Sequence, residues 1–206
     1  MKALFIGGTG IISMAITRKL VELGWDLYLL NRGSWQVAKR MLEGKRVIIH
    51  GDGTSLWTMT HNSDFAKGFI GLMGNLHAIG ESIQITSDES LTWNQIYESI
   101  ANALGVKLNP VYVPSSFLAA GSPYDFEGGL LGDKANSVVF DNSKLKRLVP
   151  EFVATTRFDQ GVRKTIDHVR SHPELQVEDE EFDAWCDSVI NAMDSALVEV
   201  QNKWKK

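Results

Sequence analysis

Apolar residues open the chain in one unbroken run, Ala3-Leu4-Phe5-Ile6, and glycines follow at once. A continuous run of that length predicts a strand buried on both faces, as in a parallel sheet. From Ile11 the period changes. Ile11, Ala15, Ile16, Leu20 and Leu23 recur at helical spacing, and Gly24 stands where such a helix ends. Trp25-Asp26-Leu27-Tyr28-Leu29-Leu30 then predicts a second strand. Strand, helix and strand within about thirty residues make a βαβ unit.

The pattern beyond it keeps alternating between the two periods. Ser34 is placed to cap a helix through Leu42 that Gly44 stops. Arg46-Val47-Ile48-Ile49-His50 predicts a strand and Gly51-Asp52-Gly53 a turn. A helix from Asn62 or Ser63 carries Phe65, Phe69, Ile70 and Met73. Ser82-Ile83-Gln84-Ile85-Thr86 alternates as a half-buried strand. Thr92 caps a helix holding Ile96, Ile100, Ala103 and Leu104, closed by Gly105. Pro110 to Pro114 predicts an edge strand, because proline cannot donate to a ladder. Gly121 to Gly132 reads as loop, and Ser137-Val138-Val139-Phe140 as a strand. A short helix follows from Asn142 or Ser143 to Leu148, and another from Thr155 or Thr156 to just before Pro173.

From Glu178 the chain predicts one more amphipathic helix. Phe182, Trp185, Val189, Met193, Ala196, Val200 and Trp204 fall three or four apart, so they share a face. Acids at its start and lysines at its end match the helix dipole. The fold class is thus α/β: a Rossmann-like parallel sheet with a smaller C-terminal α/β part and a C-terminal amphipathic helix. The expected divisions are 1–33 for the first βαβ, 34–177 for the rest of the core and the substrate-type part, and 178–206 for the helix.

Composition narrows the function. The 206 residues are 44% hydrophobic and 22% charged, and the net charge is -4. Nucleic acid and anionic membranes call for a concentrated basic face, so neither is expected as a partner. The lone Cys186 excludes a disulfide framework or a cysteine-based metal site within one chain. No apolar stretch reaches the roughly 18 residues of a membrane span. A cytoplasmic setting and no metal are the expectation.

The chemistry sits in the turn after the first strand, Gly7-x-x-Gly10-x-x-Ser13. A phosphate needs backbone N–H groups pointing at it, with no Cβ in the way, at the positive end of a helix. Gly7 permits the tight turn and Gly10 the close approach of backbone to pyrophosphate. Gly7, Thr9, Gly10, Ile11 and Ile12 are therefore the predicted pyrophosphate turn. At the end of the second strand an acid would bind the 2′-hydroxyl of NAD. This chain has Asn31 and Arg32 there, and arginine suits a 2′-phosphate. The cofactor expectation is NADP or NAD, with NADP favoured.

These residues resemble the extended short-chain dehydrogenase/reductase family, the NAD-dependent epimerase/dehydratase group. Met1 to Gly33 looks like the family's opening βαβ. Trp35 to about His172 looks like its C-terminal half, through Val47-Ile48-Ile49-His50-Gly51-Asp52-Gly53, Thr60 to Ala66, Ile83 to Gly105 and Asp141-Asn142-Ser143-Lys144-Leu145. The resemblance implies NAD(P)-linked oxidation and reduction at a sugar-like carbon, often ending in epimerisation or dehydration. At the join Gly33-Ser34 the family has several further βα units. At about 30 residues for each, roughly a hundred residues are missing, so the sheet is internally shortened. That segment would carry the family's Tyr-x-x-x-Lys pair. The four tyrosines Tyr28, Tyr97, Tyr112 and Tyr124 all lack a lysine four residues on. No catalytic residue is assigned, and turnover by the chain alone is not expected. Members acting on sugar nucleotides also have an arginine shortly after the GDG turn. Here the stretch is Thr54-Ser55-Leu56-Trp57-Thr58, which argues against a nucleotide-sugar substrate.

Unpaired strands expose edges and an apolar face, so a covering partner is expected. A homo-oligomer, with or without a segment swap, would supply it; a second polypeptide bringing the lost segment is another route. A non-catalytic assembly module on the same remnant stands as the alternative function. Other candidates read as structural. His50 and His61 flank the GDG turn, and backbone bonding suits them better than acid/base work. Asp88 and Glu89 suit the start of the helix at Thr92. His168 and His172 lack a third metal ligand nearby, and Trp185 and Trp204 suit packing or a dimer contact.

Overall fold

The computed structural model describes residues 2–4, 26–28 and 35–204. In chain order the elements are β1 (Lys2–Leu4), β2 (Asp26–Tyr28), α1 (Gln36–Leu42), β3 (Val47–His50), β4 (Leu56–Trp57), α2 (Asn62–Leu72) and β5 (Leu91–Thr92). Then come α3 (Trp93–Leu104), β6 (Pro110–Val113), α4 (Ser115–Ala120), α5 (Ser143–Leu148), α6 (Phe158–Arg170) and α7 (Glu180–Trp204). The architecture is α/β with parallel strand pairs. β1 lies parallel to β2 with Lys2 opposite Asp26, Ala3 opposite Leu27 and Leu4 opposite Tyr28. β3 lies parallel to β6, from Val47 opposite Pro110 to His50 opposite Val113.

The chain forms two compact units that alternate along the sequence. One comprises Met1–Gly33, Thr58–Leu91 and Val139–Ser171; the other comprises Ser34–Trp57, Thr92–Val138 and His172–Lys206.

In the first unit Leu145, Val149 and Phe152 are buried, with Leu72, Ile83, Ile85 and Leu148 packed on them. α2 comes close to this core through Gly68. A Cβ there would stand 2.7 Å from Ile85 Cγ2 and 3.2 Å from Phe152 Cε2. Ile83 and Ile85 thus face the core as the alternation predicted, yet residues 82–86 are not in a strand. The Asn142 side chain takes the place of a ladder. Its Oδ1 accepts from Thr86 N at 3.2 Å, and its Nδ2 donates to Thr86 O at 2.7 Å. α6 begins at Phe158, later than the expected Thr155 or Thr156, because the Thr156 amide donates to Asp64 instead.

In the second unit the core is Val113, Leu118, Leu130 and Val189, flanked by Ile48, Val111, Phe126, Trp185 and Met193. Burying each such aliphatic side chain contributes about 1.5–3 kcal/mol. α3 matches its predicted bounds. Thr92 and Gln95 form a reciprocal capping box, and Gly105 closes the helix at φ 76°. Two expectations need correction. The loop expected from Gly121 holds a wide helical stretch, Glu127–Lys134, preceded by the unpredicted α4. Residues 137–140 are not a strand; only the Val138 amide bonds to Leu56 O, at 3.0 Å.

α7 is fastened to α1 by its first two turns. Arg40, 2% exposed, donates to Asp183 Oδ1 and to Asp187 Oδ1, each at 2.6 Å, and to the Arg46 carbonyl. Gln36 donates to Asp183 at 3.0 Å and accepts from the Asp179 amide at 2.9 Å. This docking explains where α1 starts. Trp35 rather than Ser34 holds the capping position, with no side-chain cap, and the Gln36 side chain is spent on α7.

Candidate dinucleotide site

Parallel pairing of β1 with β2 puts their C-terminal ends on one edge of the sheet. That edge is where ligands bind in parallel α/β sheets, because the crossing helix begins there with free amides. The predicted pyrophosphate residues Gly7, Thr9, Gly10, Ile11 and Ile12 follow β1, and Asn31 and Arg32 follow β2. All seven lie outside the described residues, as do Ser13 and the predicted helix from Ile11 to Leu23.

β3 carries the GDG turn past its own C-terminal end. Gly53 has φ 71°, a conformation favoured by glycine, and a Cβ there would meet the Asn94 amide at 2.2 Å. Asn94 holds the turn from the start of α3. Its backbone N–H donates to Gly53 O at 3.0 Å and its Nδ2 to Asp52 O at 3.1 Å. His50 packs edge-on to Trp93 at 5.1 Å, and its buried Nε2 has no hydrogen-bond partner among the described residues. Burial, with the Lys134 charge nearby, holds its pKa below the ordinary value. Trp57 stacks on Trp93 at 6.2 Å, and the Lys134 ammonium lies 5.5 Å over the Trp57 ring. An aromatic ring with a lysine thus stands where the expected arginine is absent.

His61 belongs to the other unit and does a helix's work. Its Nδ1 accepts from the Ser63 amide at 3.3 Å, capping α2. A proton on Nδ1 would end that bond. Burial, then the Lys164 charge, holds the His61 pKa down, although Asp64 opposes them. Above the ordinary pKa of 6.5 the ring is neutral in both folded and unfolded chains, and its contribution to stability is intact. As pH falls below that value the unfolded chain takes up the proton first, so stability drops through the folded pKa. We expect the melting temperature to decline from pH 7 to pH 5. His61→Asn keeps an acceptor that does not titrate and should flatten the decline, leaving the part due to His50. Equal slopes for parent and variant would refute this role.

Asp88 and Glu89 are not at the start of α3. Asp88 pairs with Lys146 at 2.8 Å, and Glu89 Oε2 accepts from Phe158 N at 2.8 Å, the first amide of α6. The acidic start of the tail is likewise more than a solvated end. Glu178 pairs with Lys39, and Asp179 Oδ1 accepts from Phe182 N at 2.8 Å. His168 lies on α6 and His172 beyond its end at Arg170, so the pair does not share a helix face. Among the described residues no group of three or more His, Cys, Asp or Glu is placed to hold a metal, and no helix is long and apolar enough to cross a membrane. The sequence reading missed Arg40 and Asp64. Arg40 had one signal: with Val37 and Met41 it sits on the apolar spacing of α1. Asp64 had none, because its partners at Thr155 and Thr156 lie some ninety residues on.

Known structures share this fold. UDP-glucuronic acid 4-epimerase from Bacillus cereus, solved in complex with NAD, superposes with a TM-score of 0.51 at 15% identity, covering 85% of this chain and 62% of its own. dTDP-glucose 4,6-dehydratase from Bacillus anthracis, also with NAD, gives 0.52 at 19% identity, covering 79% and 50%. The fold is that of the NAD-dependent epimerases and dehydratases. In sequence the chain is 29% identical over 155 residues to 2'-dehydrokanamycin reductase from Streptomyces kanamyceticus, spanning 74% of this chain and 43% of that protein. It thus covers less than half the length of this curated relative. No family model matches the chain. The resemblance read from the βαβ opening and the GDG and D-x-S-K segments is borne out in the epimerase/dehydratase fold.

Proposed function

We propose that this chain descends from the NAD(P)-dependent epimerase/dehydratase and reductase group and binds a nicotinamide dinucleotide through its adenosine half. The observation that carries this is the parallel register of β1 and β2. Gly7 and Asn31 each follow the last paired residue of their strand by three positions, a span of at most about 11 Å. That register supports a pyrophosphate turn and ribose-reading residues drawn from one sheet edge. The residues present suit the cofactor: Gly7, Thr9, Gly10, Ile11 and Ile12 would hold the pyrophosphate, and Asn31 and Arg32 the adenosine ribose. Arg32 favours NADP, since a guanidinium matches a 2′-phosphate.

When bound, the nicotinamide supplies or accepts hydride. The similarity to a reductase of an oxidised aminoglycoside supports a sugar-ring carbonyl as the substrate class. The chain holds no Tyr-x-x-x-Lys to move the proton, which favours binding without turnover by this polypeptide alone.

Titration of NADPH and NADH against the purified chain, followed by nicotinamide fluorescence, tests the reading. NADPH should bind more tightly by about tenfold, worth about 1.4 kcal/mol, and Arg32→Ala should erase the difference. Gly10→Val should weaken both by at least about tenfold, because its side chain would fill the space the pyrophosphate needs. Failure of both nucleotides to bind would overturn the proposal. Tighter binding of NADH would overturn the assignment of Arg32 alone.

A further inference from the structure

His50 closes β3 and opens the GDG turn, and both its ring and its backbone are tied to that turn within the second unit. The ring packs edge-on to Trp93, with centroids 5.1 Å apart. Trp93 is fixed in its turn, because its Nε1 donates to the Lys134 carbonyl at 3.3 Å and Trp57 stacks on it. The His50 carbonyl accepts from Gly53 N at 3.2 Å, and the Gly51 amide donates to Val113 O at 2.8 Å. The Asn94 amide in turn holds Gly53 O at 3.0 Å. A ring that leaves Trp93 therefore pulls on the backbone of the turn.

This ring sits where a proton has no place. Its Nε2 is buried without a partner among the described residues, as is Asn94 Oδ1 beside Gly53. A neutral imidazole can leave one nitrogen as a bare acceptor, but an imidazolium carries a proton on both. The buried proton would have no acceptor within hydrogen-bond distance. The charged groups around the ring give no relief. Lys134 acts on it with a like charge, and that ammonium already pairs with Asp133 at 3.0 Å. Asp52, in the turn, spends its carboxylate on the Thr54 amide and hydroxyl. β6 sets Val113 opposite His50, and α3 brings Trp93 and Asn94, all uncharged. On α7, which packs on β3, Asp183 and Asp187 are paired with Arg40, and Asp194 with Arg46.

We propose that His50 is an acid-operated latch on the GDG turn: the neutral ring holds the turn shut against Trp93, and a proton sends the ring to water and opens the turn. This goes beyond the dinucleotide reading and does not depend on it. The sign follows from the shut form. Burial, then Lys134, holds the His50 pKa below 6.5, the ordinary value that the ring regains once exposed. At pH 7 the ring is neutral whether the turn is shut or open, and the shut form keeps its full advantage. As pH falls through 6.5 the open form takes the proton first and gains population.

Hydrogen exchange of the full chain at pH 7 and pH 5, expressed as protection relative to the free-peptide rate, tests this. Protection at the Gly51, Gly53 and Asn94 amides should fall about tenfold between the two, while the amides along α7 keep theirs. His50→Phe keeps a ring against Trp93 and has nothing to protonate. Its protection should be equal at both pH values, and its melting temperature at pH 5 should exceed the parent's, since no polar atom is left unbonded. His50→Gln, which also does not titrate, should show the same flat protection and covers the case in which Phe packs badly. Equal protection of the parent at both pH values, a fall that persists in both His50 variants, or a loss that extends along α7 would each overturn the proposal.

Discussion

Arg40→Met is expected to destabilise the protein by about 3 kcal/mol, the low end of the cost of breaking a buried ion pair from one side. Arg40 is 2% exposed and joins α1 to α7 through Asp183 and Asp187, while its Nε and Nη2 also donate to the Arg46 carbonyl. The low end applies for two reasons. Lys45 still reaches Asp183 at 2.7 Å, and Asp187 is half exposed, so water screens its share. Burial alone would raise the Asp183 pKa, but the bonds from Lys45, Arg40 and Gln36 outweigh it and bring it to about 2. The folded value lies below the ordinary one near 4. The stabilisation is therefore complete above about pH 4 and disappears as pH falls toward 2. Thermal melts should show a drop of about 6–12 °C for Arg40→Met at neutral pH, and a smaller difference from the parent at pH 2. Arg40→Met combined with Asp183→Asn should recover part of the loss, because the stranded charge goes with its partner. A melting temperature unchanged by Arg40→Met would show that Gln36 and Lys45 hold α7 by themselves.

Asp64→Ala should cost about 2 kcal/mol, by a different route. Asp64 is fully buried at the third position of α2. It accepts from the Thr156 amide at 2.8 Å and from Lys67 at 2.6 Å. Burial pushes its pKa up, yet Lys67 and the Thr156 amide hold it below the ordinary carboxylate value. Lys67 is partly exposed and can turn to water; the Thr156 amide cannot, so it is left buried without an acceptor. The damage should be local. Hydrogen exchange should quicken at Thr156 and at the first amides of α6, while α7 in the other unit keeps its protection. Uniform loss of protection in both units would contradict this assignment.

The pairing of β1 with β2, the capping of α3 by Thr92 and Gly105, and the length of α7 were all legible in the sequence. Each is set by neighbours within a few positions: an apolar run, a capping residue, a repeat of three and four. The GDG turn was legible for the same reason, since glycine at φ 71° is a local demand. Residues 82–86 show the limit of such reading. Their alternation correctly placed Ile83 and Ile85 on the core, yet a strand needs a ladder partner, and here the Asn142 side chain supplies the hydrogen bonds instead.

By itself, then, the sequence determined the α/β class, the parallel opening strands and the likeness to the epimerase/dehydratase fold. Only the tertiary structure decided that Glu89 serves α6, that Arg40 and Asp64 are buried ties, and that the apolar face of α7 passes from core to surface after Met193. The physical reason is range. Periodicity and capping act over one or two turns, whereas the buried charges here are defined by partners more than ninety residues away.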